Sequence, residues 1–254
     1  MISGATINSV GTPLRQVWPK AENGSAMLWR YFKPSRFTEF LSTAKIYFAS
    51  AREFPDKFEG ATAVLPPDLP VDPRYKGLAP ADKAFEELRR LTKISCWHIE
   101  RDESAAMWHL YAGSGKGVAI RTSIGRLLGA IRPFFAEGAR EPEDLYYGSV
   151  RYVDLHKVRL GISSMNRFFH KHRVFASEKE FRLAISLAMA EEFGVSIPER
   201  GIRVEVSTGN LIERIYIGPS VSRKLQAELM ELIRRSEFQD KVAKSCLLGT
   251  PRYS

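Results

Sequence analysis

An α+β fold is predicted by three features of this 254-residue chain. Strand-like and helix-period runs mix without strict alternation, which disfavours a doubly wound parallel sheet. Apolar residues make up 44%, enough to bury a substantial core. No internal repeat or break in composition divides the chain. A single domain over 26–254 is therefore expected, with mixed or antiparallel sheets and flanking helices.

The elements follow in order. Residues 1–25 are rich in Gly, Ser, Asn and Thr without a period, and read as a flexible arm. MLWRYF (27–32) reads as a strand and KIYFAS (45–50) as another. Between them PSRFTEFLST reads as a helix, with Pro34 and Ser35 at its start and Phe37, Phe40 and Leu41 on its apolar face. Segment 63–80 is dense in proline, which blocks ladder and helix hydrogen bonds, so a long surface loop or lid is expected there. ADKAFEELRRL (81–91) is helical, KISCWH (93–98) a strand, ESAAMWHLYA (103–112) a helix and GVAIRT (117–122) a strand.

GSGKG lacks the GK[ST] signature and a following helix, so it is a tight turn before a strand and not a phosphate loop. SIGRLLGAI (123–131) is a helix, YYGSVRYVD (146–154) a strand and MNRFFHKHRVF (165–175) a helix. EKEFRLAIS (178–186), GIRVEVS (201–207) and LIERIYIGP (211–219) are strands. The longest amphipathic helix spans 221–238, with Leu225, Leu229, Leu232 and Ile233 on one stripe and Ser220 or Ser222 as its cap. VAKSCLL (242–248) closes the chain as a short strand.

Charge and cysteine usage narrow the function classes. No long apolar run and no leader pattern is present, and there are only two cysteines. A cytoplasmic protein without a membrane partner or a disulfide framework is expected. The formal net charge of +9 favours a nucleotide or polyanion, nucleic acid among them.

Five stretches are candidates for chemistry. In EKEFRLAIS, strand alternation puts Glu178, Glu180 and Arg182 on one face and Lys179, Phe181, Leu183 and Ile185 on the other. Paired carboxylates suit acid–base work or stabilisation of positive charge, while a solvated ion-paired face is the plain alternative. Arg30, set among bulky apolar residues, suits a phosphate grip or a stem packed on aromatics. Cys96, His98 and His109 do not match zinc spacings, so no metal is expected. Around them Ser95 and Trp97 point opposite to Ile94, Cys96 and His98, and Met107, Leu110 and Tyr111 line a helix face beside Trp108. This stretch reads mostly as core, with Ser95, His98 and Trp97 at the edge of a site. In RFFHKHRVF, Phe168, Phe169 and Phe175 read as core. Arg167, His170, Lys171 and Arg173 read as a basic edge for a phosphate or nucleic acid, or as plain helix surface.

The order of these pieces resembles the bacterial family called domain of unknown function 2971, over about Leu28 to Tyr253. Arg30 and Tyr31, Phe54, Asp56, Phe58 and Glu59 carry the resemblance, with Ser95, Met107, Trp108, Tyr111, Gly117, Glu178, Glu180 and Arg182. Pro55 and Lys57 flank Asp56 where that family commonly has Asn and Pro. The resemblance implies membership and no established activity.

The order Arg30, Ser95, Glu178-x-Glu180 is also similar to the arginine–serine–glutamate pattern of NAD-dependent ADP-ribosyltransferases, which share a split α+β fold. That likeness implies NAD as cofactor. Arg30 would hold its phosphates, with Tyr31, Trp97 and His98 nearby, and Ser95 would support the nicotinamide ribose. Glu180 would stabilise the oxocarbenium-like transition state and Glu178 would orient the acceptor. Ser95-Cys96-Trp97 departs from the Ser-Thr-Ser common there, and Trp97 either stacks on nicotinamide or fills core.

Overall fold

The computed structural model describes residues 5–62, 79–160 and 165–248. The strands are β1 (Thr6–Ile7), β2 (Pro13–Gln16), β3 (Met27–Phe32), β4 (Lys45–Ser50), β5 (Thr92–Ile99), β6 (Val118–Ser123) and β7 (Leu145–Ser149). They continue with β8 (Arg151–Val153), β9 (His170–His172), β10 (Glu180–Ser186), β11 (Ile202–Glu205), β12 (Arg214–Ile217) and β13 (Val242–Ala243). The helices are α1 (Pro34–Thr43), α2 (Ala79–Leu91), α3 (Ala105–Tyr111), α4 (Ile124–Ala130), α5 (Ala188–Glu192), α6 (Thr208–Leu211) and α7 (Arg223–Arg235). Parallel and antiparallel pairings mix with these helices, which makes the fold α+β, as expected. No helix among the described residues is long and apolar enough to cross a membrane.

The residues group into two compact units. The first gathers Met1–Ala21, Tyr47–Cys96 and Pro133–Val204. In it β7 pairs antiparallel with β10 and parallel with β2, which pairs antiparallel with β1. The Tyr47–Ser50 part of β4 pairs antiparallel with β5. β8 and β9 form a separate parallel ribbon. Val17, Ala51, Ile94, Met165, Phe168, Phe169 and Ala184 make its core. Lys93 is buried, and its Nζ donates to the carbonyls of Arg90, Pro198 and Arg200 at 2.7, 2.8 and 2.7 Å. Burial lowers its pKa to about 8.

The second unit gathers Glu22–Ile46, Trp97–Arg132 and Glu205–Ser254. β3 pairs antiparallel with β6 and with the end of β5, β6 antiparallel with β12, and β12 parallel with β13. Trp29, Tyr31, Met107, Trp108, Ala112 and Ala119 form its aromatic core. On α7, Leu229 and Ile233 are buried, and the Ser222 side chain caps the helix by accepting the Leu225 N–H at 3.3 Å. Gly117 is required at the start of β6, since a Cβ there would lie 2.0 Å from the Phe32 carbonyl. The tight turn expected before that strand is present, with Gly113, Ser114 and Gly115 all at positive φ.

Several expectations need correction. The flexible arm over 1–25 instead carries β1 and β2, because β2 finds ladder partners on β7 and the Trp18 indole N–H donates to the Ser149 carbonyl at 2.7 Å. The helix expected at 165–175 is a 3-10 turn (Asn166–Phe169), strand β9 and a second 3-10 turn (Arg173–Glu178), because β9 takes its hydrogen bonds from β8. On α3 only Met107 and Trp108 are buried, while Leu110 and Tyr111 face solvent. The helix is only two turns long, so its core stripe is narrow. The last strand stops at Ala243, where Glu103 captures Ser245 and Cys246 instead. The proline-rich loop lies outside the described residues up to its final Ala79–Pro80, which open α2.

Candidate functional site

The first unit contains a buried network of five charged side chains, built on β10. Glu180 and Arg182 are two residues apart on the strand and share a face, as alternation requires. The Arg182 Nε donates to Glu180 Oε2 at 2.6 Å. Its other edge meets Glu59 as a fork, Nη1 to Oε1 at 2.6 Å and Nη2 to Oε2 at 3.0 Å. Nη1 also donates to the Phe168 carbonyl at 2.5 Å, and the guanidinium lies 5.7 Å from the Phe54 ring centroid. Both Arg182 and Glu59 side chains are 0% exposed.

Local turns deliver Glu59 to this spot. The Asp56 side chain accepts the Phe58 N–H at 2.9 Å, and the Asp56 carbonyl accepts the Glu59 N–H at 3.1 Å. Gly60 follows at φ +81°, where a Cβ would come within 2.5 Å of the Phe168 ring. The turn therefore forms with Pro55 and Lys57 beside Asp56, and glycine lets Glu59 approach Arg182 against Phe168.

Lys171 on β9 completes the network. Its Nζ donates to Glu180 Oε1 at 2.7 Å and also to Glu178, and sits 4.6 Å from the Phe175 ring centroid. Glu178 ends a 3-10 turn, and Lys179 takes a left-handed φ of 39° before β10 begins. Glu178 thus lies outside the strand that was expected to carry it, yet shares Lys171 with Glu180. The Glu180 backbone N–H donates to the Tyr152 hydroxyl at 2.8 Å.

Three carboxyl groups here meet two cations. Their environments part the two neighbouring carboxyls. Burial works against charge on Glu180, but Arg182, the bond with Glu178, and Lys171 outweigh it and hold the carboxyl well below its ordinary range. At Glu178 burial and the bond with Glu180 outweigh Lys171, and the carboxyl is raised. Burial also disfavours charge on Lys171 and Arg182, yet the carboxylates keep both firmly protonated. Burial, reinforced by Glu180, pushes the nearby Cys96 thiol far up, so it is a poor nucleophile.

The other expected site residues are distributed as follows. Ser95 is buried on β5 in the first unit. Arg30, Tyr31, Trp97 and His98 belong to the second. The Arg30 guanidinium lies 5.3 Å from the Trp97 ring and 5.6 Å from the Phe32 ring. Trp97 is buried and His98 nearly so, which fits the core-filling reading of Trp97. The Tyr31 hydroxyl accepts the Ser104 N–H at 2.9 Å, its ring packs edge-on against Trp108, and burial holds its pKa well above the usual value.

The basic edge expected from Arg167, Lys171 and Arg173 is corrected. Lys171 is buried and neutralised by Glu178 and Glu180, because β9 turns it inward. Arg173 is exposed and pairs with Asp154 at 3.2 Å, and Arg167 packs on the Phe85 ring at 5.6 Å. Among the described residues, no group of three or more His, Cys, Asp or Glu is placed to hold a metal ion.

Sequence reasoning found the Glu180–Arg182 face but missed the roles of Glu59 and Lys171. A glutamate wedged between an Asx turn and a glycine is the one local signal that could have drawn attention to Glu59. Comparison with family models, with curated proteins and with solved structures returns no match.

Proposed function

We propose that the first unit carries out glycosyl transfer from an NAD-type nucleotide, with Glu180 and Glu178 in separate roles. The observation that carries this reading is geometric: two neighbouring carboxyls, Glu178 and Glu180, meet on the one Lys171 ammonium, and their surroundings push their proton affinities apart. Cleavage of the nicotinamide–ribose bond leaves positive charge on the sugar as nicotinamide departs with the bonding electron pair. A preorganised carboxylate stabilises that state. Glu180, kept ionised by Arg182 and Lys171, holds the charge in place. Glu178, with its raised proton affinity, takes the proton from the acceptor as its oxygen or nitrogen bonds to the sugar carbon. Two neighbouring carboxyls whose proton affinities are pushed apart suit such a division of labour. Ser95, buried on β5 of the same unit, belongs to this proposal as the support for the nicotinamide ribose.

One observation favours a second, noncatalytic reading. Both Glu180 oxygens are already engaged, one by Arg182 and one by Lys171, as in a purely structural ion network. The deciding experiment is nicotinamide release from NAD by the purified chain, beside Glu178→Gln. Release in the wild type that drops at least about a hundredfold in the variant, as for loss of a general base, supports transfer. No release by the wild type leaves the structural reading standing.

A further inference from the structure

The β8–β9 ribbon has two faces, and the charge network occupies one. Its parallel register sets Tyr152 beside Lys171 and Arg151 beside His170. Side chains alternate along each strand, so Tyr152 and Lys171 share one face, and Arg151 and His170 share the other. That second face is organised around Trp18. The bond from the indole N–H to the Ser149 carbonyl, 2.7 Å long, fixes the ring. Gly148 makes room for it, since a Cβ there would come within 3.3 Å of the indole Cδ1. The Arg151 guanidinium stacks on the indole 3.8 Å from its centroid. The His170 ring meets the same indole edge-on, with centroids 5.2 Å apart.

Stacking uses the flat face of the guanidinium and leaves its N–H edges directed outward. Arg151 is exposed, and among the described residues it has no carboxylate partner. His170 Nδ1 lies 3.1 Å from the Asn166 carbonyl oxygen. A carbonyl oxygen only accepts, so Nδ1 carries the proton and Nε2 presents a lone pair. Burial lowers the proton affinity of the ring more than the Asn166 bond raises it, and Arg151 lowers it further. Nε2 has no protein partner among the described residues and is not one of the sealed, unsatisfied polar atoms.

We propose that Trp18, Arg151 and His170 form a binding site for a phosphate group that carries, or adjoins, a hydroxyl. Two Arg151 N–H groups grip two phosphoryl oxygens, and the hydroxyl donates to His170 Nε2. Trp18 holds both side chains in position. The site uses the opposite face of the ribbon from Lys171 and does not rest on the glycosyl-transfer reading.

Inorganic phosphate near neutral pH is the probe, titrated by calorimetry while nitrogen NMR follows labelled histidine rings. Phosphate is expected to bind and to shift the His170 Nε2 resonance. Arg151→Gln, at an exposed position, is expected to weaken binding by about tenfold or more. His170→Phe keeps the ring against Trp18 but removes the lone pair, and is expected to weaken binding less. Arg36→Gln, on α1, is expected to bind as the wild type does. Sulfate has no proton to donate at this pH and is expected to bind more weakly than phosphate. Absence of binding at millimolar phosphate overturns the proposal. So does unchanged binding in Arg151→Gln, or sulfate binding equal to phosphate, either of which marks an adventitious ion only.

Discussion

Each unit draws a carboxylate away from water, Glu59 fully and Glu103 in part, and each does so in a different way. In the first, Glu59 is sealed against a cation, the Arg182 guanidinium, which also holds Glu180. In the second, Glu103 is surrounded by neutral donors: the Trp108 indole N–H at 2.8 Å, the Ser245 hydroxyl at 2.7 Å and the Cys246 backbone N–H. Burial alone would raise the Glu103 carboxyl, but the Cys246 thiol first, with the bonds from Ser245, Trp108 and the Cys246 backbone, brings it below its ordinary value. The comparison teaches that charge balance and dipole solvation are separate solutions to one problem. A charge-balanced group depends on a single partner, whereas a dipole-solvated one spreads its dependence over several.

The largest effect is expected where that single partner is removed. Arg182→Leu leaves Glu59 and Glu180 buried with only Lys171 nearby, and should cost about 3–5 kcal/mol in urea unfolding. Adding Glu59→Leu should recover part of the loss, because an apolar pair replaces an orphaned charge. If Arg182→Leu costs no more than the next variant, the contrast between the units collapses.

Glu103→Gln keeps the shape but leaves one acceptor oxygen for the donors that met the carboxylate. A loss of about 1–2 kcal/mol is expected, set by charge-assisted bonds becoming neutral ones. Urea unfolding measured on both variants in one buffer makes the comparison direct.

The smallest effect is one of pH. Glu180 has a depressed folded pKa, so its contribution is complete above its ordinary 4.5 and is lost as pH falls through the depressed value. Glu178 has a raised one. Its contribution is complete below 4.5 and is lost as pH rises through the raised value. Glu178→Gln removes only the second loss. Its stability relative to the wild type should therefore improve from acid to neutral pH, by about 1 kcal/mol or less, given how near Glu178 lies to solvent. Unfolding curves at a series of pH values test this. Parallel curves would abolish the separation of Glu178 from Glu180 on which the proposed roles depend.

Legibility from sequence followed the range of the interaction. The face shared by Glu180 and Arg182 could be read because alternation is a property of one strand. The Ser222 cap, the β3–α1–β4 order and the turn before β6 were equally local. Lys171 was misplaced because its segment was given a helical period, and in β9 the same residues take a period of two. Trp18 was assigned to a flexible arm because nothing near it in sequence announces its acceptor, Ser149.

The sequence by itself determined the α+β class, most strand and helix positions, the pairing of Glu180 with Arg182 on one face, and Trp108 and Met107 as core. These rest on backbone geometry and side-chain periodicity, which act within a few residues. Only the tertiary structure decided that Arg182 meets Glu59 across 123 positions, that Lys171 turns inward to Glu180, and that Arg151 and His170 converge on Trp18. The reason is physical. Removing a charge from water is favourable only beside a compensating group, and the fold as a whole sets where that group arrives.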